Sequence, residues 1–101
     1  MVYNILWTDD AIQDLNGFLN QFEQEDKPNY IQGLLAAIDQ LMNLLQSMPR
    51  LHHIWEEEVR VAPLPGKVPY TLYYQVNDTD SCILVIGLLH QRQDSSKIAA
   101  R

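Results

Sequence analysis

With 101 residues, 47% of them hydrophobic, the chain has material for one core and not for two, so a single domain covering residues 1–101 is expected. No uncharged apolar run reaches the roughly 18 residues of a membrane span, the start MVYNILWTDD lacks a basic stretch and a small-residue cleavage site, and the lone Cys82 excludes an internal disulfide or a cysteine-based zinc site; a cytoplasmic address fits. The formal charge of −6 repels polyphosphates at long range and disfavours avid, non-specific nucleic-acid binding.

The charge is uneven along the chain. Residues 1–49 carry Lys27 against seven carboxylates, whereas residues 50–101 carry six basic and six acidic side chains. Any nucleic-acid contact therefore falls to the C-terminal half.

Val2 to Trp7 reads as a short strand, apolar on both faces and so expected at an inner position. Thr8 is placed to cap a helix, with Asp9 and Asp10 supplying negative charge where the helix dipole is positive. Ile12, Leu15, Leu19 and Phe22 recur at helical spacing and predict one apolar stripe over Asp9 to Gln24. Glu25-Asp26-Lys27-Pro28 breaks that helix, and Pro28 suits the first turn of a second one. Tyr30, Ile31, Leu34, Leu35, Ile38, Leu41, Met42, Leu45 and Met48 keep the helical period up to Pro49. The short connection predicts an antiparallel helical hairpin, and packing accounts for the methionines better than a binding stripe does.

Ile54 to Ala62 reads as one strand in which Glu57 faces away from Glu56 and Glu58. Such a strand belongs at or near a sheet edge, where charge blocks unwanted pairing. Pro63 to Pro69 is a stiff hairpin loop. In Pro69 to Asp94 a first strand alternates Tyr70, Leu72, Tyr74 and Val76 with Thr71, Tyr73 and Gln75, as a half-exposed strand would. Cys82 to Leu89 is nearly all apolar, as a central strand would be. Tyr73 and Tyr74 then fall on opposite faces, one in the core and the other exposed. Directly after the second strand come His90, Arg92 and Asp94. The order β-α-α-β-β-β predicts an α+β fold, a helical hairpin packed on one face of a mainly antiparallel sheet.

Trp7 with Ala11 and Leu15, Pro49 ending the second helix, Arg60, the Tyr-x-x-x-Tyr-x-Val strand (Tyr70, Tyr74, Val76) and His-x-Arg-x-Asp (His90, Arg92, Asp94) stand in an order that resembles the RelE/ParE superfamily. These are toxins of bacterial toxin–antitoxin modules, also called plasmid-stabilisation proteins. The resemblance spans nearly the whole chain and implies one of two activities. RelE-like members cut messenger RNA in the ribosomal A site; ParE-like members trap DNA gyrase on cleaved DNA. Both are neutralised by a cognate antitoxin whose C-terminal segment lies along the helices and sheet.

The nuclease branch usually has a basic residue where this chain has Thr71, and a late tyrosine where this chain has none after Tyr74. His-x-Arg-x-Asp is closer to the ParE-like ending, which favours a toxin that binds gyrase without being an enzyme itself. If the activity is instead a ribonuclease, its candidate catalytic residues are His90, Arg92 and Arg60. The acidic charge departs from both branches, and a non-toxic relative that keeps the fold for partner binding is the third reading. Target contact is expected at His90, Arg92, Asp94, Tyr73 and Arg60. For the cluster itself the competing reading is an Asp94–Arg92 ion pair at a strand end, and for Arg60 it is neutralisation of Glu58. His52 and His53 beside Glu56 to Glu58 do not make a metal site, because adjacent extended histidines point apart. No cofactor and no membrane partner are expected, and a homodimer is open only if the Glu-rich strand is not the free edge.

Overall fold

The computed structural model describes residues 2–101. Its elements run β1 (Asn4–Trp7), α1 (Asp9–Gln24), α2 (Pro28–Ser47), β2 (Ile54–Glu56), β3 (Val59–Pro63), β4 (Tyr70–Asn77), β5 (Cys82–His90) and α3 (Ser96–Ala99). The strands form one sheet in the order β1-β5-β4-β3-β2, with β1 parallel to β5 and every other pair antiparallel. The α1–α2 hairpin covers one face, so the expected α+β arrangement is present, with one more strand and one more helix than the sequence predicts. None of the described helices is long and apolar enough to cross a membrane.

Local chemistry sets the element ends. The Thr8 hydroxyl accepts from the Ala11 N–H at 3.1 Å and so satisfies one of the orphan donors at the start of α1. Asp26 takes a left-handed conformation, φ 55°, which a short polar side chain tolerates, and the Lys27 N–H closes back on the Phe22 carbonyl at 2.9 Å. Pro28 then opens α2. In the β4–β5 turn the Asn77 side-chain oxygen accepts from the Asp80 N–H at 3.2 Å, a side-chain-to-backbone bond that helps close the turn.

The main core lies between the hairpin and the sheet. Leu34, Ala37, Ile38, Leu41 and Leu45 of α2 are buried against Leu72, Tyr74, Ile83, Val85 and Leu88. On α1 the buried line is turned by about one residue from the expected one. Ala11 and Phe22 are buried, Leu15, Phe18 and Leu19 pack beside them, and Ile12 is 43% exposed. Tyr30, Leu35 and Met48 of the α2 pattern are also exposed, while Met42 packs on the core.

Three expectations about strands are corrected. β1 is an edge strand, not an inner one: among the described residues it pairs only with β5, the chain leaves the sheet at Thr8 to start α1, and Leu6 stays 57% exposed. The Glu-rich segment is two strands, because Glu57 adopts φ 50° and turns the chain between β2 and β3; Glu57 thus lies in a turn. The short β2 that results is the second free edge, as expected for that segment. β4 is not half-exposed. A register shift between Tyr73 and Tyr74 and a second cluster on the far face bury both tyrosines. In that cluster Tyr73, Leu89 and Ile98 are buried, with Trp55, Val59, Val61 and Ile86 packed around them, so α3 closes the face that the hairpin leaves open.

β5 outruns β1, and side chains finish its exposed edge. Beyond the bond from the Thr8 N–H to the Val85 carbonyl at 3.0 Å, no strand among the described residues lies along that flank. The Ile86 carbonyl accepts instead from Arg101 Nη1 at 2.8 Å, and the Leu88 N–H donates to Asp14 Oδ2 at 3.1 Å. Asp14 and Arg101 are joined by two bonds of 2.7 and 3.0 Å, and the Asp14 side chain is only 5% exposed. Burial opposes its charge, but the Arg101 and Leu88 donors and the nearby Lys97 ammonium outweigh that and hold its pKa below the usual carboxylate value.

Candidate functional site

The sheet brings the end of β5 to the start of β4, with His90 opposite Tyr70. A tight turn follows, in which the His90 N–H donates to Gln93 Oε1 at 2.8 Å and the Arg92 N–H donates to His90 Nδ1 at 3.1 Å. With Nδ1 accepting, the neutral imidazole carries its proton on Nε2. The ring also sits edge-on to Tyr70, 5.1 Å between centroids. His90 is thereby a fixed, half-buried group, and Arg92 extends beyond it into solvent.

Both residues line an open groove of about 890 Å³ between the turn end of the helical hairpin and the β3–β4 loop. Phe18, Phe22, Tyr30 and Tyr70 form its wall, and Lys27, Lys67 and Arg92 stand around it with a single carboxylate, Glu25. The rings meet edge to face: Phe18–Tyr70 at 4.7 Å, Phe22–Tyr30 at 5.6 Å and Phe22–Tyr70 at 6.3 Å. Burial, and then the Glu25 charge, raise the Tyr70 pKa, so the phenol stays neutral at physiological pH.

The other candidates lie elsewhere. Asp94 does not pair with Arg92; its Oδ1 accepts from the Ser96 N–H at 2.9 Å at the entry to α3, and Ser96 lowers its pKa. Arg60 neutralises no glutamate. It donates to the His52 carbonyl at 2.8 Å and the Arg50 carbonyl at 3.4 Å, on the helix side of the sheet beside Tyr74, whose hydroxyl donates to the Pro49 carbonyl at 2.8 Å. The pair clamps the link after α2. Tyr73 is the tyrosine expected to be exposed, and it is 7% exposed, edge-on to Trp55 at 5.3 Å. His52 buries its Nε2 without a partner, and burial followed by the His53 charge lowers its pKa. Among the described residues no group of three potential ligands is placed to hold a metal.

The sheet face opposite the hairpin has a different character. Next to the Tyr73–Leu89–Ile98 cluster is a hollow of about 390 Å³ whose lining includes Asp10, Glu56, Glu57 and Arg101, and Arg101 is committed to Asp14. Sequence reasoning missed Lys67 as a companion of Arg92. The antiparallel β4–β5 pairing carried the signal, since it puts the loop before Tyr70 beside the turn after His90.

Residues 5–95 match the family model described as ParE toxin of type II toxin–antitoxin system, parDE. No curated protein matches. Among solved structures, the chain is similar to a chromosomal ParDE system from P. aeruginosa (TM-score 0.70, 16% identity, 88% of this chain and 96% of that one). It is also similar to a mutant E. coli toxin RelE in the free state (0.66, 14%, 99% and 93%). A third likeness is to the RelBE2 toxin–antitoxin complex of Mycobacterium tuberculosis (0.64, 19%, 89% and 99%). At these identities the structural likenesses establish the fold.

Proposed function

The chain belongs to the ParE toxin family of type II toxin–antitoxin systems, and on that premise we propose that it is held by a cognate antitoxin and, when free, acts by binding DNA gyrase. One observation carries the choice of gyrase over RNA cleavage: the three candidate nuclease residues do not converge, Arg60 lying apart from His90 and Arg92. Cleavage at a ribose requires a base, a cation and an acid converging on one phosphate. Here His90 and Arg92 line the helix-side groove, Arg60 is spent on backbone carbonyls, and the opposite face offers apolar side chains and carboxylates. A binding toxin needs no such convergence. In this reading His90 and Arg92 contact the target, and the Gln93 side chain and His90 Nδ1 hold the turn that presents them.

The test is gyrase supercoiling with purified protein. Inhibition and accumulation of cleavage complexes at micromolar protein are expected, weakened about tenfold or more by Arg92→Ala. Normal supercoiling, together with messenger RNA cut on ribosomes by the wild type but not by His90→Ala, would establish the RelE-like alternative. The charge of −6 favours a second reading, a non-toxic relative that keeps the fold for partner binding. Growth arrest on expression, relieved by the product of the adjacent reading frame, excludes it.

A further inference from the structure

The sheet face opposite the hairpin is covered at one end only, where Ile98 of α3 closes over Tyr73 and Leu89. Beyond that cover lie two hollows, of about 390 and 1020 Å³, and Gln75 and Leu84 line both. Together they make one trough from Trp55 on β2 to Leu6 on β1, the two edges of the sheet. Its floor is apolar. Leu6 is 57% exposed, and Trp55, Leu84 and Ile86 are half-buried. Apolar surface left open across a whole sheet marks an interaction face.

The rim selects the partner. Asp10, Glu56 and Glu57 border the first hollow and Glu58, Asp78 and Asp80 the second, against one cation, Arg101, which Asp14 already holds. Among the described residues the side chains of Glu56, Glu57 and Glu58 enter no ion pair, so their charge is free for an outside partner. A nucleic acid is repelled by such a rim. An apolar floor inside a ring of carboxylates fits instead a protein segment that carries an apolar anchor flanked by lysines or arginines. We propose that the trough seats a basic segment of the protein target, as a second contact on the face opposite the groove of His90 and Arg92. This rests on the gyrase reading above, because an enzyme that works on DNA carries lysines and arginines where the phosphates lie. The acidic charge of the chain then serves target binding.

The probe is purified DNA gyrase, titrated with the full chain by calorimetry at low and moderate salt. Glu56→Lys/Glu58→Lys, one change at each hollow, is expected to weaken binding about a hundredfold with a flatter salt dependence, and Leu6→Ala about threefold. Both glutamates are exposed and unpaired, so the melting temperature should not move. Combined with Arg92→Ala, the losses should multiply, as for separate contacts. The control is Glu23→Lys/Asp39→Lys, which makes the same change of net charge on exposed positions of α1 and α2 and should bind like wild type. If the control weakens binding as much as the trough variant, the attraction is one of net charge and the proposal is overturned. If wild type and trough variants bind gyrase equally tightly, the trough is not the seat although the gyrase reading stands. If the wild type does not bind gyrase, both fall. If the trough variants instead lose binding of the adjacent reading frame's product, or lose a self-association seen by sedimentation, the occupant is the antitoxin or a second copy, and the proposal is overturned.

Discussion

Asp14 and Arg101 lie 87 positions apart and each reads in sequence as an ordinary surface charge. Together they replace a missing strand on the flank of β5, accepting from the Leu88 N–H and donating to the Ile86 carbonyl. Arg101→Ala is therefore expected to cost about 1–3 kcal/mol in urea unfolding at neutral pH, with Lys97 offsetting part of the loss. The pH dependence has a definite sign. Asp14 has a folded pKa below its ordinary 3.8, so its contribution is present above that value and is lost as pH falls through the folded value. Asp14→Asn should unfold more easily than wild type at pH 7, and the gap should narrow below about pH 4. Nothing local announces this pair, because helix periodicity places Asp14 beside the apolar stripe without showing what it meets. That His90 and Arg92 would stand together was legible, since a rigid strand ends there, and both line one groove; Asp94, next in the same motif, bonds to the backbone N–H of Ser96.

At the level of elements, the two helices of the hairpin were read with nearly the right bounds, α3 was not foreseen, and it was the exposure of the strands that was misread. A helix is closed by its own caps and period, and both are written in the sequence. Thr8→Ala should cost about 1 kcal/mol, measurable as a lower urea midpoint with an unchanged slope. A strand's exposure depends instead on its neighbours. β4 looked half-exposed because its second covering layer comes from Trp55 and Ile98, distant in sequence and short in structure. Tyr73→Ala should therefore behave as a core truncation, with a loss of about 3–5 kcal/mol, and not as removal of a surface ring. Gly87 reports on the same layer. A Cβ there would overlap Ile98 Cδ1 and stand 2.8 Å from Arg101 Nη1. Gly87→Ala should push α3 off the sheet at a cost of about 1–3 kcal/mol, seen as faster amide exchange in residues 96–101.

Across the whole molecule, charge is sorted by surface. The groove at the hairpin's turn end is basic, whereas the sheet face opposite the hairpin has an acidic rim. The protein should therefore leave a random-sequence duplex unshifted at micromolar concentration and about 0.15 M salt; retention of that duplex would contradict the charge reading. The sequence by itself determined the helical hairpin, the β-hairpin with its stiff loop and the family, whereas the centre of the sheet is β4 and not, as expected, β5. The two hairpins and the family follow from period, caps, proline positions and motif order, which are properties of neighbouring residues. Only the tertiary structure decided that β1 is an edge, that both tyrosines of β4 are buried, that Arg60 is a clamp, and that Lys67 joins Arg92 in one groove. Those outcomes depend on which distant segments cover a face or flank a strand, and burial and electrostatic partnership are set by that covering.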